Sequence, residues 1–241
     1  MILMTLTEQQ IVETLSKYPA ISSLSFSSKG IINCKNSNEE FVLKDILERE
    51  NEPYWNRFLI RLDSFVGATN KIYSSKKKLR DKICSSPFST MWELEFASYC
   101  VSRNISIVEE VKTVNNSNVD FKISLAGSDV LVEAHIRRLK KKEEKEHATF
   151  GDITRSLANT TAEKINQNEI PNDMKLPLIL AIDGSYAGID SINVRSFFNF
   201  KSKDFYIVSG IFLKDIGRYI LISNPNARNP LTIQQVNKLI D

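Results

Sequence analysis

At 241 residues, 42% hydrophobic and 25% charged, the chain has ordinary globular composition, with length for one large domain or two small ones. Lys and Arg number 32 against 29 Asp and Glu, and a net charge of +3 permits nucleic-acid binding without arguing for it. Three scattered cysteines with no CxxC pair argue against a zinc site or a disulfide framework, and no apolar run reaches the roughly 18–20 residues a membrane span needs. The opening Met1–Leu6 is apolar but shorter than a signal-peptide core, with no basic segment before it. The expectation is a soluble, cytoplasmic protein with no membrane partner.

Residues 7–19 predict a helix, with Thr7 or Thr5 as cap, Ile11, Val12 and Leu15 at helical spacing, and Pro19 as stop. Residues 21–34, rich in serine and with Leu24 and Phe26 alternating, predict a small hairpin turning near Gly30. Two amphipathic helices follow over 41–50 and 54–66, separated by Pro53. Residues 68–86 carry a basic stripe that includes Lys76, Lys77 and Lys78. It reads either as a solvated helix face or as a phosphate-contacting arm.

From Ser89 or Thr90 a further helix runs to Arg103, carrying Glu93 and Glu95. Strands are expected over 105–114, 119–125 and 130–136, with Gly127-Ser128-Asp129 as the turn between the last two. The charged run from Lys140 to His147 has no apolar face, and 153–167 is helical. Residues 177–182 suit a buried central strand, 205–213 and 219–222 two more, and 233–240 a closing helix after the turn-rich Asn224–Pro230. The order after residue 86 is α-β-β-β-α-β and then ββ. The expected class is α/β (α+β): a mainly helical region over 1–86, then a domain over 87–241 with a mixed central sheet flanked by helices.

Three carboxylates draw attention: Glu93 on a helix, Asp120 on one strand and Glu133 on the next. A hard divalent cation such as Mg²⁺ takes oxygen ligands and needs only one or two protein carboxylates beside water and phosphate. With the turn centred on Gly127 and Ser128, Asp120 and Glu133 fall near-opposite, where side chains lie about 4.5–5.5 Å apart. Glu133 sits within an apolar run, where a carboxylate costs several kcal/mol unless paired or bound to a cation. Either acid alone also suits a charge at a strand edge. No Gly-rich phosphate loop, Ser-His-Asp set or HExxH pattern is present.

The order helix-Glu, strand-Asp, hairpin and strand Val132-Glu133-Ala134-His135 resembles the PD-(D/E)XK nuclease superfamily, of restriction-endonuclease-like fold, over residues 88–230. The resemblance implies Mg²⁺- or Mn²⁺-dependent hydrolysis of nucleic acid, DNA more than RNA. It makes Asp120 and Glu133 the metal-holding motif acids and Glu93 the helix acid, with Glu95 as its substitute. Val119 replaces the motif proline, and His135 stands where the family places its catalytic lysine. A neutral imidazole can accept a proton but gives no constant positive charge, and His135 also suits a satisfied polar residue at a strand end. The resemblance offers Lys164 as a relocated lysine, with Gln167 one turn further on the same face, although Lys164 equally suits an exposed helix position. Arg137, Arg138, Lys140, Lys141 and Lys142 follow the motif strand, where phosphate positioning is expected. A nuclease that cuts both strands is commonly a two-fold dimer, so a homodimer is also expected. The alternative expectation is a catalytically degenerate nuclease fold that binds nucleic acid or a protein partner.

Overall fold

The computed structural model describes residues 6–35, 41–112, 118–136, 175–185, 189–201, 205–215 and 217–240. The chain divides into two compact units, Met1–Val101 and Ser102–Asp241. The helix expected after residue 86 is therefore grouped with the first unit, and the break over Ser85–Pro87 is a turn between two of its helices.

The first unit is helical: α1 (Glu8–Ser16), α2 (Pro19–Ser22), α3 (Ser28–Ile32), α4 (Leu43–Glu48), α5 (Pro53–Thr69), α6 (Lys76–Ser85) and α7 (Pro87–Ser102). Thr7 opens α1 through a reciprocal box, its backbone N–H donating to Gln10 Oε1 and its Oγ1 accepting from Gln10 N–H. The hairpin expected over 21–34 is not formed; α2 and α3 stand there instead. Pro19 is preorganised for the first helical position, and Ser27 Oγ caps α3 by accepting the Gly30 N–H. The adjacent Ile31 and Ile32 do not alternate as a strand would, and Ile31 is fully buried as a helical residue.

Helix α7 buries nearly every side of itself, from Phe88 through Trp92, Leu94 and Phe96 to Cys100, the pattern of an internal helix. Its two acids are held within the same unit. Lys82 Nζ lies 2.7 Å from Glu93 Oε2, and an Arg61 guanidinium nitrogen lies 3.1 Å from Glu95 Oε2.

The second unit is a six-stranded open mixed sheet in the order β1 (Ile107–Lys112), β2 (Asn118–Leu125), β3 (Ser128–Ile136), β4 (Leu178–Asp183), β5 (Gly210–Asp215) and β6 (Arg218–Ser223). The outer pairings β1–β2, β2–β3 and β5–β6 are antiparallel, and the inner β3–β4 and β4–β5 are parallel. Every residue of β4 is buried, as the continuous apolar run of a central parallel strand requires. Helix α8 (Ser191–Lys201) connects β4 to β5, and α9 (Ile233–Ile240) closes the described chain. No helix is expected from the sequence over 191–201, although Val194, Phe197 and Phe198 stand at helical i, i+3, i+4 spacing. The start of α8 is set locally, Asp190 and Asn193 each accepting the other's backbone N–H at 2.8 and 2.9 Å. Val194, Phe197 and Phe198 of α8 share a core with Leu178, Leu180 and Ile182 of β4 and Ile211 and Leu213 of β5.

The strand expected over 205–213 begins only at Gly210, because buried Asn224 claims the backbone before it. Its Nδ2 donates to the Phe205 and Val208 carbonyls at 3.2 and 2.9 Å, and its Oδ1 accepts from Asn226 N–H. The Asn224–Pro230 loop thus anchors the entry to β5 rather than merely turning.

Candidate functional site: an acidic strand pair at the carboxyl end of the parallel strands

The β2–β3 hairpin turns on Ala126 and Gly127, one residue earlier than expected. Both have positive φ, 51° and 80°, the signature of a type I′ turn whose twist matches its strands. The pairing runs from Leu125–Ser128 to Phe121–Val132. Continued by one residue, that register sets Asp120 opposite Glu133. The Ala134 N–H then donates to Asp120 Oδ2 at 2.8 Å, so a carboxylate takes the place of a backbone acceptor where the two strands part. A charge-assisted bond of this kind fixes the side chain as well as the strand end.

Glu133 is 4% exposed. It shares its sheet face with Leu131 and His135, and its parallel partner is Leu180, so its carboxylate is set into the face that builds the α8 core. Taking a carboxylate out of water there costs several kcal/mol. His135, paired with Ile182, is half-buried two residues further along β3.

Asp183 and Lys214, not anticipated from the sequence, occupy the adjoining strand ends. They are partners in the β4–β5 ladder, and their charged groups meet at 3.2 Å with side chains 5% and 15% exposed. Asp183 Oδ1 also accepts the Ser185 N–H at 3.0 Å. Gly184 between them is obligatory, because a Cβ there would lie 2.5 Å from the Ile189 carbonyl oxygen. The available sequence signal was an acid and a glycine closing an apolar run. Asp120 and His135 stand at the carboxyl end of the parallel strands, where open α/β sheets place their ligands, and Asp183 and Lys214 stand at the same end on the opposite face of the sheet.

Glu93 belongs to the first unit, as do Glu95 and the exposed Lys76, Lys77 and Lys78. Those three lysines fill the first turn of α6, where the positive end of the helix dipole disfavours cations by about 0.3–1 kcal/mol each. Helix stability therefore does not account for them. Arg137, Arg138, Lys140, Lys141, Lys142, Lys164 and Gln167, with the helix expected over 153–167, lie outside the described residues.

Among the described residues no group of three or more His, Cys, Asp and Glu side chains gathers as a metal site. Asp120 and Glu133 are nonetheless hard oxygen donors, and two carboxylates are a sufficient protein share for Mg²⁺. At the opposite end of the hairpin, roughly 17 Å from Asp120 by strand rise, lies an open groove of about 990 Å³. Arg103, Lys238, Gln234, Asn237, Ser102 and Ser124 line it, a set of donors with no carboxylate among them. No helix among the described residues is long and apolar enough to cross a membrane.

Comparison with protein-family models, with curated proteins and with solved structures gave no match to this chain.

Proposed function

We propose that the chain is a cytoplasmic, Mg²⁺-dependent nuclease of the PD-(D/E)XK type with a restriction-endonuclease-like fold, hydrolysing phosphodiester bonds of nucleic acid, DNA more than RNA. The observation that carries the reading is the Asp120 carboxylate accepting the N–H of Ala134, the residue after buried Glu133, at the carboxyl end of the parallel strands. The cost of burying a carboxylate is offset by a pairing partner or by a bound cation, and a cation is the reading proposed for Glu133. Asp120 and Glu133 would hold Mg²⁺ (or Mn²⁺). The ion would supply Lewis-acid polarisation of a phosphoryl oxygen and a more acidic water.

His135, on the same face as Glu133, would accept the proton of the attacking water as neutral imidazole. Lys164 is the alternative cation for that step, supported by Gln167. Arg137, Arg138 and Lys140 would hold the phosphate backbone, and Lys76, Lys77 and Lys78 of the first unit are separate candidates for phosphate contact. The groove between Arg103 and Lys238 suits the same oxygens. A two-fold dimer would present two such sites to the two strands.

A second reading is favoured by one specific residue. His135 stands in the lysine position, so a fold that binds nucleic acid without cutting it retains every other feature. Incubating the purified chain with plasmid, linear duplex, single-stranded DNA and RNA in Mg²⁺ or Mn²⁺ separates the two. Cleavage that disappears in Glu133→Ala, with the variant still cooperatively folded, is the expected result. Salt-dependent binding without cleavage selects the second reading, and identical behaviour of wild type and Glu133→Ala on every substrate discards the nuclease.

A further inference from the structure

Cys34 and Cys84 stand 50 positions apart in sequence, yet they meet in the first unit. Cys34 follows α3 by two residues, Cys84 lies in the last turn of α6, and both are half-buried. They line one cavity of about 360 Å³ with Phe26, Ser27, Arg80 and Asp81. One hydrogen bond ties the walls, Arg80 Nη1 donating to the Ser25 carbonyl at 3.0 Å and so joining α6 to the segment that leads into α3, while Ile31 and Ile83 beside the thiols are each fully buried. Each thiol lies close enough to the other to perturb its ionisation. The third cysteine, Cys100, is fully buried in α7.

We propose that Cys34 and Cys84 form a redox modification site, at which a peroxide-class oxidant closes a reversible intramolecular disulfide between α3 and α6. The surroundings of Cys84 push its thiol up to about 12 and raise Cys34 less far, so Cys34 ionises first and attacks the peroxide. Its sulfur takes one peroxide oxygen to become a sulfenic acid, and the O–O bond breaks to release water. Cys84, deprotonated as it attacks, then displaces the sulfenic oxygen as a second water and forms the S–S bond. Two thiols and one hydrogen peroxide give one disulfide and two waters. Burial pushes both thiols up from their ordinary range, with Arg80 partly opposing this at Cys84, so the reaction is slow at neutral pH and accelerates in mild alkali. The cross-link would tie α6, whose first turn carries Lys76, Lys77 and Lys78, to the segment after α3.

The test treats the full chain with hydrogen peroxide at neutral and at mildly alkaline pH, alkylates remaining thiols after denaturation, and maps the peptides by mass spectrometry. The expected result is a Cys34–Cys84 cross-linked peptide, formed faster at the higher pH and removed by dithiothreitol, with Cys100 still alkylated. In Cys84→Ser, a sulfenic acid trapped by dimedone should accumulate at Cys34, whereas Cys34→Ser should give no disulfide within the chain. Equal alkylation of all three cysteines, a disulfide only between chains, or a disulfide that includes Cys100 would overturn the proposal. The wild-type map decides the matter even if either variant folds poorly.

Discussion

The carboxylate of Asp120 accepts the backbone N–H of Ala134, the residue after Glu133, at 2.8 Å. One side chain thereby closes the ladder between the two acidic strands and holds its own orientation against the neighbouring carboxylate.

These two roles separate under substitution. Asp120→Ala leaves the Ala134 N–H without this acceptor and should lower unfolding free energy by about 1.5–3 kcal/mol, the range for a bond to a charged group. Asp120→Asn keeps an acceptor oxygen and should recover most of that loss, while Mn²⁺ affinity falls as far as in the alanine variant. Urea unfolding and calorimetric Mn²⁺ titration read the two effects. An asparagine variant that binds Mn²⁺ like wild type would remove Asp120 from the proposed metal site.

The Asp183–Lys214 pair is almost fully desolvated. Lys214→Met should therefore cost about 3–5 kcal/mol, because the Asp183 carboxylate stays buried with its countercharge gone. Adding Asp183→Leu should return most of the stability, since two apolar side chains carry no desolvation penalty. The double-mutant cycle measures the coupling, and additive losses would mean that the two charges do not depend on each other.

The turn that sets the register contains one residue poorly suited to it. Ala126 has φ 51°, a region disfavoured for residues with a Cβ and tolerated best by Gly and Asn. Ala126→Asn should raise stability by about 0.5–1 kcal/mol and Gly127→Ala should lower it by at least about 1 kcal/mol. Opposite signs in urea midpoints are the expected signature, and a destabilising Ala126→Asn would argue against the turn as described.

Burial pushes the Cys84 thiol from 9.0 up to about 12, reinforced by the neighbouring Cys34. Between these values the unfolded chain releases the Cys84 proton and the folded chain keeps it, so the unfolded state binds fewer protons and stability falls as pH rises. The contribution is flat below about pH 9 and destabilising above it. Cys84→Ser should flatten that alkaline decline in reduced protein, measured as Tm against pH. An unchanged slope would mean that the thiol does not feel its surroundings as strongly as its burial implies.

How much of this was legible in the sequence follows from which interactions are local. Capping at Thr7, proline punctuation at Pro53 and the apolar run of β4 are set by neighbouring residues, and they appear where expected. The region over 21–34 misled because Leu24 and Phe26 alternate over too short a stretch, while the deciding signals, Pro19 and the Ser27 cap, are single residues. Asp120 and Glu133 stood out because an acid in an apolar strand violates the pattern around it. Asp183–Lys214, Cys34–Cys84 and the carbonyl contacts of Asn224 bring together residues distant in the chain, and no spacing rule announces them. The turn centre was one residue off because Ala126 is not a residue one would choose for positive φ.

The same two-residue turn also orders the sheet in time. The β2–β3 contacts have short sequence separation and little loop-closure entropy to overcome, whereas β3–β4 must wait for the long connection from Ile136 to Leu178 to close. The strands bearing both acids would then belong to the folding nucleus, and the parallel strands would add to them. Substitutions in the hairpin should slow refolding, while those in β4 and β5 should mainly hasten unfolding, a contrast that chevron kinetics read directly. Whatever the acids bind, their alignment would not depend on the last strands to arrive.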